Sequence, residues 1–362
     1  MTDLIVHRGG PHLSVQDLGR PGYLAQGVSR GGVMDRLALA EGAALLGQSA
    51  DLAAIEMAGS GGVFEVTDDT RIALTGAAMR AEIDGAALVW NASHLLPKGA
   101  RLNIGGALAG TYGYLSFGGG VATPLQLGAR ATHLSAGLGR TLDAGTRLAM
   151  GTDTGNAKVG FTFDAENRFN GGTIRIVPSL QTDLFPKSER LRFEATAFRR
   201  DPRSNRMGAR LTGEGDGFSS EAGLSVLSEV ITPGDIQITG DGTPFVLMAE
   251  CQTTGGYPRI GTVIPADLPK VAQAGRDAEL RFRFIDLAEA VAVERAEAKR
   301  LKAMPRQLRR LVRRPEEMRD LLAYQLISGV TKGDDLDRLQ SLNSPGWPGR
   351  ARTKETAPKS RN

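Results

Sequence analysis

The 362-residue chain contains one cysteine, Cys251, so no disulfide can form within it and a bridge-stapled secreted scaffold is excluded. A reducing cytoplasm is the expected setting. No run reaches the roughly 18 apolar residues that a spanning helix needs, and Met1-Thr-Asp-Leu-Ile-Val-His7 lacks the basic region and long apolar stretch of an export signal. Aromatic residues make up only 5%, too few for the stacking platform of a nucleic-acid binder. There is no Gly-Lys dipeptide, hence no P-loop. The four histidines, His7, His12, His94 and His133, stand singly, without zinc-site spacing. They read as surface or partly buried polar residues, and no metal site is expected.

Positive charge is also scarce where a nucleic acid would need it. The net charge is +4, yet residues 286–362 hold 17 Lys and Arg against 11 Asp and Glu, leaving 27 against 29 in residues 1–285. The body is slightly acidic and the excess lies in the C-terminal extension.

Glycine, by contrast, is abundant: 47 residues, about twice the usual share. They punctuate short apolar or alternating runs such as Gly62-Val-Phe-Glu-Val66, Arg71-Ile-Ala-Leu-Thr75, Tyr112-Gly-Tyr-Leu-Ser-Phe117, Thr173-Ile-Arg-Ile-Val177, Phe245-Val-Leu-Met-Ala249 and Leu280-Arg-Phe-Arg-Phe284. Many short strands between turns predict a mainly β chain of barrel or sandwich type. One helix is expected over Met34 to Leu46, stopped by Gly47, its apolar stripe interrupted at Glu41. The polar Gly151-Thr-Asp-Thr-Gly-Asn-Ala-Lys158 reads as a linker, giving β regions over 1–155 and 170–285. A helical extension follows over 286–343, with one helix from Ala288 to about Met304 and another after Pro315. Residues 344–362, rich in Pro, Gly, Lys and Ser, are expected to be disordered.

Three clusters combine polar side chains with glycine, which lets backbone amides approach a ligand. The first is Ser14-Val-Gln-Asp-Leu-Gly-Arg-Pro-Gly-Tyr23 with Gly31-Gly-Val-Met-Asp35, offering Gln16, Asp17, Arg20 and Asp35. The second, Leu127 to His133, offers Arg130. The third spans Ser204-Asn-Arg-Met-Gly-Ala-Arg-Leu211, Leu227-Ser-Glu229, Gly234-Asp-Ile-Gln237 and Glu250-Cys-Gln-Thr-Thr-Gly-Gly-Tyr-Pro-Arg259.

The first and third clusters, and above all Gln252-Thr-Thr-Gly-Gly-Tyr-Pro258 with Ser14-Val-Gln-Asp-Leu-Gly-Arg20, resemble a carboxyltransferase family over roughly residues 3–285. That family includes the C subunit of bacterial 5-oxoprolinase, a regulator that antagonises a kinase inhibitor, and part of urea amidolyase. The resemblance implies two cyclophilin-like β-barrels. It also implies partnership with the A and B subunits in ATP-dependent opening of the 5-oxoproline lactam to glutamate. A lactam carbonyl is a poor electrophile, and phosphorylation of its oxygen would open it to water, which calls for cations and amide donors around phosphate. On this basis Arg206 and Arg210 would hold phosphate or carboxylate, Gln237 and Gln252 would bond the lactam, and the amides of Thr253, Thr254, Gly255 and Gly256 would receive an oxyanion. Glu229 would serve as acid, base or metal-organising group, with Asn205, Ser228 and Tyr257 completing the walls. ATP, accompanied by Mg, is the implied co-substrate.

Two departures from the family pattern stand out: Asn205 where an aspartate is expected, and Glu250 where aspartate commonly precedes Gln-Thr-Thr by two places. Plainer readings apply as well. Gly255 to Pro258 would serve as a tight turn, Asp17 and Arg20 as a local ion pair, Cys251 as packing, and the Arg309-Arg310 and Arg313-Arg314 pairs as a solvated helix face. Two other functions fit the family. One is biotin-dependent carboxyl transfer of the urea carboxylase type, with biotin arriving on another protein because the chain has no Ala-Met-Lys-Met sequence. The other is a non-catalytic regulator that binds a kinase-inhibitor-like partner.

Overall fold

The alternating Thr70–Ile83 and Leu102–Phe117 runs form the longest strands of the molecule, and they pair antiparallel from Ile72 opposite Phe117 to Ile83 opposite Leu102. The computed structural model describes residues 2–156, 158–221 and 226–312. The long pair is the axis of an eleven-stranded sheet that also takes in Asp3–Arg8, Leu13–Gln16, Ala54–Ala58, Val63–Val66 and Ala92–Leu96. Period-two patterning turns Leu4, Val6, Phe64, Val66, Ile72 and Leu74 into one core. Near Gly76, at φ +73°, the ladder slips register. A side chain there would strike the Tyr112 carbonyl and the Tyr114 ring.

The helix expected in the first half runs Arg36–Leu46, capped by Asp35, whose Oδ1 accepts from the Leu37 and Ala38 amides, and ended by Gly47 in the left-handed region. It lies on the sheet: Thr75 Oγ1 donates to Ala38 O at 2.7 Å, and a Cβ on Gly42 would run into Ser116. Glu41, the break in its apolar stripe, is buried and receives both Arg168 Nη atoms, at 2.8 and 2.7 Å.

Downstream, Gly171–Val177, Arg259–Val263, Asp235–Ile238, Pro244–Leu247, Gly208–Gly213, Phe198–Arg200 and Glu279–Phe284 form a closed seven-stranded barrel. Glu279–Phe284 runs parallel to Gly171–Val177 and closes the ring; the other pairs are antiparallel. Leu280 and Phe282 point inward while Glu279, Arg281 and Arg283 face out. Inside, Phe193, Phe198, Phe218 and Phe282 pack with ring centroids 5.0 to 5.9 Å apart. The chain is thus mainly β, with ring closure in its second region.

Two segments tie the C-terminal part back to the first sheet. Phe161–Thr162, just past the polar linker, pairs with Ala92. After the helix Leu287–Ala303, Arg309–Arg310 form a short strand against Phe161–Thr162. This corrects the solvated-helix expectation for Arg309 and Arg310: Arg309 pairs with Asp164, and the Arg310 guanidinium lies over the Phe161 ring at 5.7 Å. The Arg313-Arg314 pair, the helix expected after Pro315 and the tail lie outside the described residues. No helix among the described residues is long and apolar enough to cross a membrane.

Sheet and barrel share an apolar cluster in which Met34, Ala38, Tyr112 and Tyr114 pack with Ile174, Ile236 and Val271. Polar clamps surround it. Gln273, on the helix Leu268–Gln273, accepts from the Thr111 and Tyr112 amides and donates to Tyr112 O and Asp35 Oδ2.

Candidate functional site

Where sheet and barrel meet, a lone carboxylate stands in the otherwise apolar strand Ala54–Ala58. Glu56 Oε2 accepts from the Met34 amide at 2.8 Å and from Tyr114 OH at 2.6 Å, while Oε1 accepts from Arg206 Nη1. Arg206 comes from the loop before strand Gly208–Gly213. Its Nε lies 2.5 Å from Glu250 Oε1 and its Nη2 donates to Gly32 O at 2.6 Å. Burial works against the Arg206 charge, but Glu56 and Glu250 outweigh it and hold the guanidinium above its ordinary value. The other oxygen of Glu250 sits 3.9 Å from His133 Nδ1. His133 is buried, with Ser29 Oγ on Nε2 and Ser135 Oγ on Nδ1. Burial lowers its pKa, so the ring is held toward the neutral form.

Over this network lies a cleft of about 280 Å³ lined by His12, Ser14, Thr111, Tyr112, Thr132, Thr141, Arg200, Pro202, Ser204 and Asn205 as well as Glu56, Arg206 and Glu250. Burial raises the pKa of both tyrosines beneath it, Tyr114 well above the phenol value, so both remain neutral donors. Hydroxyls, one histidine and two arginines converge there on a small volume, an arrangement suited to a small polar ligand.

The expected site residues fall into separate groups. Arg206 and Asn205 border the cleft. Asn205 Oδ1 accepts from the Met207 and Gly208 amides at 2.8 and 3.3 Å, the local turn that an aspartate would also make. Arg210 does not join them: it pairs with Asp201 Oδ2 at 2.8 Å on the barrel strand. Arg203 and Arg210 hold the Asp201 carboxyl far below the usual range. Arg206 has Glu56 on one nitrogen and Glu250 on another, which makes it an ion-pair hub.

Glu229, Ser228, Gln237, Gly255 and Gly256 gather elsewhere, around the two-stranded ribbon Glu229–Val230 with Thr254–Gly255. Glu229 is exposed, and its Oε2 accepts from Arg259 Nη2 at 2.5 Å and Gln181 Nε2 at 2.9 Å. Arg259 also reaches Asp235 Oδ2 at 3.2 Å. Gln237 is buried beside Gly255, its Nε2 without a partner among the described residues. The ladder takes up backbone groups of Thr254 and Gly255, the Thr253 carbonyl accepts from Ile231, and that of Gly256 accepts from Val226. Gln252 and Tyr257 are exposed. The most distinctive motif therefore forms a ribbon, and Glu250, two residues ahead of it, is what enters the cleft. Cys251 between them is buried against Ile231 and Leu247, and burial pushes its thiol up to about 12, which fits packing and not nucleophilic work.

The N-terminal cluster is tied into the fold by its own hydrogen bonds. Asp17 and Arg20 make no ion pair, which corrects that expectation. Asp17 instead accepts from the Gly19 and Arg130 amides, at 2.8 and 2.6 Å, and Arg20 donates to the Gln126 and Ala131 carbonyls. Gln16 Nε2 donates to Ser14 Oγ and Thr132 O, both at 3.1 Å. Asp35 joins helix cap, Arg168 and Gln273. Arg130 contributes its backbone to Asp17 while its side chain is half-buried. Among the described residues no group of three or more His, Cys, Asp or Glu could hold a metal.

Sequence reasoning missed Glu56, Tyr114, Glu41, Arg168, Gln273 and Arg200. A signal existed for two of them: single carboxylates inside apolar elements, Glu56 in Ala54–Ala58 and Glu41 in Arg36–Leu46.

Residues 26–284 match the family model described as the carboxyltransferase domain, subdomain A and B. The chain is 32% identical to the C subunit of 5-oxoprolinase from Haemophilus influenzae over 78% of its own length and 91% of that protein's. It is 33% identical to the Escherichia coli C subunit of 5-oxoprolinase over 80% of its own length and 93% of that protein's. The solved K. lactis urea amidolyase has the same fold, with a TM-score of 0.74 and 24% identity over 83% of this chain, which spans only 20% of that one. From the family match and the two 5-oxoprolinase relatives, the chain belongs to the carboxyltransferase domain family, subdomain A and B.

Proposed function

We propose that this chain is a subunit of an ATP-dependent 5-oxoprolinase, working with partner A and B subunits to open the 5-oxoproline lactam to glutamate. The observation that carries this reading is the near full-length correspondence with two C subunits of 5-oxoprolinase, covering 91% and 93% of their lengths. Urea amidolyase shares the fold at lower identity and over a small fraction of its length, so carboxyl transfer ranks second.

The polar cleft supports the reading by its size. Pockets for drug-sized ligands run to roughly 300–1,000 Å³, and about 280 Å³ suits a five-membered lactam acid. A nucleoside triphosphate does not fit it, and Arg206 is already neutralised by Glu56 and Glu250. We therefore place ATP outside this cleft. On this reading the chain's own residues bind and orient the lactam acid and shield it from bulk water, and Ser14, Thr132, Tyr112 and Ser204 supply hydrogen bonds.

Co-expression with the A and B subunits, isolation of the complex, and assay of glutamate release from 5-oxoproline with ATP, beside carboxyl transfer from carboxybiotin to urea, tests it. Glutamate release that depends on this chain is expected. Silence in the first assay with turnover in the second reverses the ranking.

A further inference from the structure

Four charged side chains line the cleft: Glu56, Glu250, Arg206 and Arg200. Both carboxylates are spent on Arg206. Arg200 is left over. It sits at the end of barrel strand Phe198–Arg200, and among the described residues it has no ion-pair partner. The neighbouring Asp201 is taken by Arg203 and Arg210. Arg200 Nη1 donates to Thr111 Oγ1 at 3.1 Å, its guanidinium stands 6.0 Å from the Tyr112 ring centre, and its Nε is buried without a hydrogen-bond partner.

A half-buried guanidinium with no acid of its own among the described residues, in a cleft whose acids are otherwise engaged, is suited to meet an incoming anion. Its planar fork matches a carboxylate. The volume limits that anion to a small molecule. The lining also presents hydroxyls: Ser14 Oγ accepts from Gln16 Nε2 and so keeps its own proton to donate, and Thr132 and Thr141 line the same cleft.

We infer that the cleft is a binding subsite for a small monocarboxylate and that Arg200 anchors its carboxylate group, the remainder of the ligand facing Ser14, Thr132 and Thr141. The identification of that ligand as 5-oxoproline rests on the proposed function; the carboxylate anchor does not. Arg200 went unnoticed in the sequence because it lies outside the glycine-rich motifs, on a short barrel strand.

The test uses the full chain, alone and in the assembled complex, with 5-oxoproline, 2-pyrrolidinone (the same lactam without the carboxylate) and ATP as probes in calorimetric or NMR titrations. The chain is expected to bind 5-oxoproline and not 2-pyrrolidinone, with ATP failing to compete for the cleft. Arg200→Met should weaken binding about ten- to a hundredfold, the loss of a charge-assisted hydrogen-bonded pair. Arg200→Lys should restore part of it, and in the complex the change should appear in KM more than in kcat. Thermal melts of both variants check that the fold is intact. Equal binding of 2-pyrrolidinone, an unchanged Kd in Arg200→Met, or no binding by the chain in either state overturns the subsite. The two proposals fail separately: glutamate release with a wild-type KM in Arg200→Met removes the anchor and leaves the function. Arg200-dependent binding of 5-oxoproline in a complex that releases no glutamate removes the function and leaves the anchor.

Discussion

Glu56 and Arg206 lie 150 residues apart and come from different β regions, yet they form one ion pair at the junction of sheet and barrel. Because Arg206 also holds Glu250, the guanidinium is shared by a carboxylate from each side. Taking charges out of water is costly, and the arrangement is tolerated because Tyr114, the Met34 amide and the Gly32 carbonyl complete the hydrogen bonding. Removing one member should therefore hurt more than the pair's net worth.

Arg206→Ala is accordingly expected to destabilise the protein by about 3–5 kcal/mol, since it strands two buried carboxylates. Glu56→Gln should cost less, because an amide keeps part of the hydrogen bonding. Urea unfolding at constant m-value checks both. A loss below about 1 kcal/mol for Arg206→Ala would show that the hub does not hold the junction.

The strand pattern was legible in the sequence because period-two alternation between glycine-marked turns depends only on local geometry. Thr173 to Val177 and Leu280 to Phe284 both proved to be barrel strands. What pairs with what was not legible. The parallel closure of Gly171–Val177 on Glu279–Phe284 and the return of Arg309–Arg310 to the first sheet are long-range contacts with no local signature. The site divided the same way. Gln252 to Pro258 marked the family but folded into a ribbon, and the cleft draws on Glu56 from one segment and Arg200 and Arg206 from another, which only the tertiary fold brings together.

Asp267 links stability to pH. It is fully buried and accepts from Arg175 N, Nε and Nη2, with Lys270 Nζ at 3.2 Å. Burial pushes its pKa up, but the Arg175 bonds and the Lys270 charge outweigh burial and leave it below the ordinary 3.8. The folded carboxyl thus stays ionised where the unfolded one takes up a proton. Its stabilisation is complete above 3.8 and drains away as pH falls through the lower folded value. Asp267→Asn should be less stable than the parent at neutral pH, with the gap between their urea midpoints shrinking below 3.8. A gap independent of pH would break the linkage.

Cys251 offers a chemical probe of the packing between cleft and ribbon. With its thiol buried and pushed up to about 12, the thiolate is scarce near neutral pH. A disulfide reagent such as DTNB should label it only as fast as the protein opens, and at once in denaturant. Cys251→Ala should keep glutamate release by the assembled complex. Rapid labelling of the native protein, or loss of turnover in a folded Cys251→Ala variant, would contradict the packing role.

Glu229 separates the ribbon from the cleft experimentally. Its carboxylate is exposed, and Arg259 and Gln181 already engage it, while Arg259 retains Asp235 as a second acid. Glu229→Ala should therefore change stability by no more than about 1 kcal/mol, the range of exposed ion pairs. It should also leave KM for 5-oxoproline in the complex unchanged, where Arg200→Met raises it. If Glu229→Ala instead abolishes turnover in a folded, assembled complex, the chemistry lies at the ribbon, and the cleft is reduced to binding alone.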